Sequence, residues 1–279
     1  MTRAAALLYP PTCVLCGAPG DAGLDLCQGC RADMPILGAC CARCAIPLAR
    51  SLSTPTAEPT KPDEPNRPGT SLERKPGPSP PQHKPELPEH RIGAHGRIAG
   101  DGLCRSCQRQ PPPYRRCTAV YRYEDPLPAL VAGMKFRARL NLVRLLGELL
   151  AEELLASAEA PDWTWPDAIV PVPLHPQRLR QRGYNQALEL ARIIGRRLAL
   201  PVNITCCRRI RSTQAQSALE ERQRLTNIRG AFAITAPLPR HVAILDDVVT
   251  TGATVSELAR LLGRNGCEQV DVWALARTP

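Results

Sequence analysis

Aromatic side chains are scarce in this chain: three Trp, five Tyr and two Phe are 4% of its 279 residues. So small a supply weighs against a surface that binds single strands by stacking bases on successive rings. Long apolar runs are missing too, and no stretch approaches the ~20 residues of a membrane-spanning helix. Residues 1–13 carry Arg3 and a short Ala/Leu segment, too short and too Pro-interrupted for a secretory signal. The chain therefore reads as cytoplasmic. A nucleophilic constellation is also lacking. The five His are dispersed, and His83, His90 and His95 fall in a Pro-rich stretch. Nothing in the sequence supports Ser-His or Cys-His chemistry.

Cysteine, by contrast, is abundant, and in a cytoplasmic chain thirteen Cys point to metal before disulfides. Eight form four Cys-x-x-Cys pairs: Cys13/Cys16, Cys27/Cys30, Cys41/Cys44 and Cys104/Cys107. One such turn holds two thiolates on an edge of a Zn²⁺ tetrahedron, so four turns make two closed, structural Cys₄ sites. Sequential pairing and an interleaved cross-brace both satisfy the spacing. Cys40 is an alternative to Cys41, which has the better spacing. Cys117 lies outside the pairs, and Cys206, Cys207 and Cys267 read as core residues.

Texture divides the chain into four parts. Residues 1–50 and 99–117 are the two halves of the zinc-binding module. Between them, 51–98 holds eleven Pro and no aromatic or Cys, the composition of a disordered insertion that is dispensable for folding. Residues 118–279 have the alternation of an α/β domain. Strands are expected at 118–123, 167–172, 202–207, 231–234, 242–246 and 270–275. Helices are expected within 126–157, which allows one or two, and at 184–199 and 253–264, the last stopping at Asn265-Gly266. Residues 208–228 are polar and Arg/Gln-rich, a long loop or short helix. Strands alternating with helices argue for a parallel sheet with ligands at the strands' C-terminal ends.

The net charge of +10 is concentrated: residues 172–230 have twelve Arg, three Glu and no Lys or Asp. Such a field suits an anionic ligand, whether pyrophosphate, a phosphorylated sugar or nucleic acid. The chemistry is densest at Val242-Ala-Ile-Leu-Asp246-Asp247-Val-Val-Thr250-Thr251-Gly252-Ala253-Thr254. A buried strand delivers two carboxylates for sugar hydroxyls or Mg²⁺. A Thr/Gly turn then offers hydroxyls and N–H groups, and the positive end of the next helix points at the same spot. A sugar phosphate would bridge both halves.

That segment resembles the phosphoribosyl-pyrophosphate (PRPP) signature of the type I phosphoribosyltransferases. Over nearly the whole chain outside the insertion, the sequence resembles the ComF family. The resemblance rests on the four Cys pairs, Met134-Lys135-Phe136, Val170-Pro-Val-Pro173, the arginines Arg178 to Arg182 and Gly183-Tyr184-Asn185-Gln186-Ala187. It continues through Arg211, Thr213 and Gln214, Arg222 and Arg224, Asn227 and Phe232 to the Asp246–Thr254 motif. The insertion inside the zinc module departs from the family pattern.

The resemblance implies a type I phosphoribosyltransferase-like parallel sheet with helices on both faces, preceded by a small Cys₄ zinc-binding module. It implies a bacterial protein linked to competence, the uptake of single-stranded DNA, with single-stranded DNA and the competence machinery as partners. In such a protein Asp246 and Asp247 meet ribose or, through water, Mg²⁺. Thr250, Thr251, Gly252, Ala253 and Thr254 cradle the 5′-phosphate. Arg178, Arg180 and Arg182 form a pyrophosphate side. Residues 208–228 make a closing hood, with Arg222 and Arg224 as its catalytic cations. The alternative is an active phosphoribosyltransferase of nucleotide metabolism, with an unknown acceptor and no link to DNA.

Overall fold

Val242, Ala243, Ile244 and Leu245 are each wholly buried, and they alternate between two apolar cores. Ala243 and Leu245 enter one core, Val242 and Ile244 the other. A strand covered on both faces reads as a continuous apolar run for this reason. The computed structural model describes residues 10–48, 102–136, 139–212 and 228–279. The Pro-rich insertion, most of the expected hood with Arg222 and Arg224, and Thr213, Gln214 and Asn227 lie outside the described residues.

The elements run α1 (Gln28–Ala32), α2 (Arg105–Arg109), β1 (Arg116–Arg122), α3 (Leu127–Phe136), α4 (Leu140–Ser157), β2 (Ala168–Pro171), α5 (Pro176–Arg182), α6 (Gln186–Leu198), β3 (Cys207–Arg209), β4 (Phe232–Ile234), β5 (His241–Val249), α7 (Ala253–Arg264) and β6 (Gln269–Arg277). The main sheet has the order β1-β6-β5-β2, all parallel; β3 and β4 form a separate antiparallel pair. Leu142, Leu146 and Leu150 of α4 and Leu190 and Ile194 of α6 cover one face. Val255, Leu258 and Leu262 of α7 cover the other, with Cys207 and Phe232 of the hairpin. The parallel sheet with helices on both faces is thus as expected. Helices α4 and α6 approach closely at Gly147, where a Cβ would stand 2.9 Å from Ile193 Cγ2.

The zinc module covers the sheet's β1 edge. Leu37 N–H donates to Val120 O at 2.9 Å, and Arg122 N–H to Pro35 O at 2.8 Å. Cys117 N–H donates to Arg43 O at 2.9 Å. An otherwise open edge is thereby capped by the chain's own N-terminal part. Among the described residues no helix is long and apolar enough to cross a membrane.

Three elements depart from expectation. Strand β5 runs on to Val249 because β6 pairs with it as far as Val249–Arg277, so both carboxylates sit within the strand and not beyond it. The strand expected at 202–207 is broken. Asn203 Oδ1 accepts from the N–H groups of Thr205 and Cys206 at 3.1 and 3.0 Å, a side-chain turn that competes with extended pairing. Only a bridge at Val202 and the short β3 survive. Helix α5 was not expected at all, although its signals are in the sequence. His175 caps it, Pro176 starts it and Gly183 ends it in the left-handed conformation.

Candidate functional site

The eight paired cysteines form two clusters, Cys13/Cys16/Cys27/Cys30 and Cys41/Cys44/Cys104/Cys107, each with its sulfurs within 4.8 Å of one another. Pairing is therefore sequential, and Cys41, not Cys40, is the member. The insertion is spanned by the second cluster. A tetrahedral zinc with Zn–S of about 2.3 Å sets an S–S edge of about 3.8 Å. Cys16 and Cys27 sulfurs stand 3.6 Å apart, and those of Cys44 and Cys104 3.7 Å. The clusters thus fit zinc and not disulfides. Backbone N–H groups donate to the sulfurs of Cys27, Cys41 and Cys104 at 3.3–3.5 Å, as thiolates require. Burial opposes ionisation of Cys13, but N–H bonds from Cys27, Cys16 and Leu15 prevail and bring its thiol down to about 6. Four protein ligands leave no open position, so both sites are structural.

One cleft gathers the remaining chemistry at the C-terminal end of β5. It is lined by Lys135, Arg178, Arg182, Gln186, Arg209, both aspartates and residues 248–255, among others. Asp246 Oδ1 accepts from Asp247 N–H at 2.9 Å, and Asp247 Oδ1 from Val248 N–H at 2.8 Å. The Lys135 ammonium stands 2.7 Å from Asp247 Oδ2. Burial first, and then the Asp247 carboxylate, push Asp246 up to about 7, while Lys135 pulls the other way. Lys135 is placed by the last turn of α3, where Met134 O accepts from the Tyr184 hydroxyl.

The turn after β5 has the anatomy of an anion cradle. Gly252 adopts φ +74° as the residue before α7; a Cβ there would meet nothing closer than 3.8 Å, so only its backbone demands glycine. Helix α7 has no acidic residue in its first turn and no side-chain cap on Gly252. Its positive end is left for a ligand. Thr251 Oγ1 accepts from Ala253 N–H at a long 3.4 Å.

Arginines from two elements converge on the same cleft. Arg178 and Arg182 are one helical turn apart on α5 and reach the cleft, whereas Arg180, between them, is exposed and does not line it. The expected trio is thus corrected to a pair, joined by Arg209 from β3. Burial, then Arg178, hold Arg209 down to about 10, and Asp246 opposes them. Arg178 is lowered by burial and by Arg182. Mutually repelling guanidiniums mark a place prepared for an anion. Gln186 is 3% exposed and its Oε1 accepts from Arg182 Nη1 at 3.1 Å, yet its Nε2 has no hydrogen-bond partner among the described residues. A buried orphan donor in a cleft is a place for a ligand's acceptor.

The cleft brings together both aspartates, the Thr/Gly turn and three arginines of the Arg-rich field. Nothing local in the sequence sets Arg209 apart from the other arginines of 208–228, since it enters through a hairpin, and the orphan donor of Gln186 depends on burial. Lys135 is followed by Arg137 and Arg139, and it gains its partner only when β5 is placed beside it.

A family model described as a double zinc ribbon domain matches residues 4–58. The DNA utilization protein YhgH of Escherichia coli K12 is 40% identical over 176 residues, 63% of this chain and 78% of that protein. Competence protein F of Haemophilus influenzae is 34% identical over 178 residues, covering 62% and 78%. Competence protein ComFC of Streptococcus pneumoniae is 26% identical over 57% of this chain and 67% of that one. Among solved structures, a hypoxanthine phosphoribosyltransferase from Trypanosoma cruzi overlaps 48% of this chain and 67% of its own at 12% identity and a TM-score of 0.31.

Proposed function

The chain belongs to the competence protein F (ComF) family, and we propose that its cleft binds PRPP, or a closely related phosphorylated ribose, in support of DNA uptake. One observation carries the reading: Arg178, Arg182 and Arg209 share a cleft with the uncapped end of α7, with Asp246 and Asp247 beside them. A ligand with an anion at each end and hydroxyls in the middle satisfies all three groups at once. The 5′-phosphate lies on residues 250–254, held by N–H groups and the Thr hydroxyls. The ribose hydroxyls donate to Asp246 and Asp247. The pyrophosphate takes the arginines in forked, charge-assisted bonds.

Mg²⁺ fits this reading, since paired carboxylates are hard oxygen donors, and bound there it would neutralise the pyrophosphate. The chain's own part is positioning. The arginines stabilise charge gathering on a departing pyrophosphate, and Asp246 and Asp247 fix the ribose. In this reading Arg222 and Arg224 are assigned as further cations for the pyrophosphate. In the same reading the place of action is the cytoplasm, with single-stranded DNA and the competence machinery as partners; the relatives' names speak of DNA utilization and competence.

Calorimetric titration with PRPP and Mg²⁺ tests the reading. Wild type binds. Thr251→Val weakens binding by on the order of 1–3 kcal/mol, through loss of one hydroxyl to a charged oxygen. The double variant Asp246→Asn, Asp247→Asn binds far more weakly. Equal binding by wild type and that double variant would show the site to be misplaced. Binding of single-stranded DNA without any PRPP binding would leave a DNA-handling protein whose cleft serves another ligand.

A further inference from the structure

The two cysteine clusters are not equivalent in what they touch. Cys13 belongs to the core beneath α3 and α4, and Arg31 of α1 pairs with Glu152 of α4. Ala45, next to Cys44, belongs to the other core, together with Tyr114, Cys117, Val249 and Ala253. Val249 precedes the anion turn and Ala253 lies within it. A second observation is more direct. Arg277, at the end of β6 and 6% exposed, bridges the two places. Its Nε donates to Cys44 O at 3.1 Å. Its Nη1 donates to Val249 O at 3.1 Å, to Thr250 O, and to Thr278 O at 2.7 Å. Tyr114, buried in the same core, brings its hydroxyl to within 3.8 Å of the point where a Cβ on Gly252 would sit.

We propose that the second cysteine cluster positions the anion-binding turn through Arg277, so that the metal at Cys41, Cys44, Cys104 and Cys107 tunes that turn while the metal at the first cluster does not. The ligand part of this inference rests on the function proposed above; the structural part does not. A chelated Cys41-x-x-Cys44 turn holds the Cys44 carbonyl at one place. The guanidinium, planar and forked, carries that placement to the carbonyls of Val249 and Thr250. With those carbonyls fixed, the N–H groups of the turn stay aimed into the cleft. Arg277 is thus a positioning residue. It holds the turn from behind and does not line the cleft.

Hydrogen exchange of the full, zinc-loaded chain tests this, with zinc content and PRPP titration measured on the same samples. Arg277→Met should keep both zinc ions and still raise exchange in residues 249–252 by about tenfold, with exchange in 13–30 unchanged. PRPP affinity should fall by a similar factor. Arg277→Lys should not restore it, because one ammonium cannot serve Cys44 and the turn together. Independently, Cys104→Ser with Cys107→Ser should loosen 249–252, whereas Cys16→Ser with Cys30→Ser should not; this pair of variants decides the matter if Arg277→Met fails to fold. Unchanged exchange at 249–252 on loss of Arg277 or of the second cluster overturns the proposal, as does equal loosening from either cluster. Loosening as expected in a chain that binds no PRPP even as wild type would keep the positioning role and discard the ligand.

Discussion

Lys135 and Asp247 meet across the cleft, ammonium to carboxylate, at 2.7 Å. One ends α3 and the other lies in β5, so their contact depends on the packing of that helix against the sheet. The pair acts on a third group, since Lys135 also pulls down the pKa of Asp246. Removing it should move the cleft's titration. With Lys135→Met, the pH midpoint of PRPP–Mg²⁺ binding should rise, by roughly one unit. Calorimetry at a series of pH values reads this directly; an unmoved midpoint would separate Lys135 from the ligand.

Asp246 itself makes the folded state pH-dependent. Its pKa is raised from 3.8 to about 7, so the native chain holds a proton that the unfolded chain gives up. Its contribution to stability therefore falls as pH rises from about 3.8 to about 7, and is level above that. Asp246→Asn removes the burdened charge. The variant should be more stable than wild type at pH 8, on the order of 1–2 kcal/mol after discounting for partial exposure, and the gain should shrink toward acid. Urea unfolding at several pH values measures it. The same variant should bind PRPP less well, a trade of function for stability.

At the other end of the sheet, Asp271 behaves oppositely. Burial raises its pKa, but His241 and Arg115 prevail and hold it below 3.8. The bonds are His241 Nε2 at 2.9 Å and a two-pronged Arg115 at 2.9 and 2.7 Å. A depressed carboxylate stabilises the fold above its unfolded pKa and loses that effect as pH falls through its folded one. Asp271→Asn should cost about 1–3 kcal/mol at pH 7, since it takes the charged acceptor away from the buried His241 and the half-buried Arg115. The difference from wild type should narrow below pH 3.8, the value of an unperturbed Asp. Thermal unfolding of both proteins across that range is the check.

Metal content gives a fourth expectation. Freshly purified, reduced protein should carry about two zinc ions, one for each Cys₄ cluster. Cys107→Ser should reduce the count to one, because three thiolates bind zinc far less tightly than four. Elemental analysis reads both, and zinc-free protein would rule out the structural role of the clusters.

The sequence by itself determined the strand–turn–helix at 242–264, because an apolar run, a glycine in a left-handed turn and helical periodicity are local signals. It determined the four Cys-x-x-Cys turns for the same reason, since each edge of a metal tetrahedron is built from adjacent residues. It did not determine how the turns pair. That is a matter of which come together in space, and only the tertiary structure decided it in favour of the sequential clusters. Nor could it separate Arg178 and Arg182 from Arg180, until α5 assigned them to opposite sides. The contacts of Arg277 with Cys44, of Arg209 with the cleft and of Lys135 with Asp247 join residues far apart in the chain. Local propensity carries no record of such contacts. They exist because two cores pack against opposite faces of one sheet, and that packing brings the ends of distant elements to a single cleft.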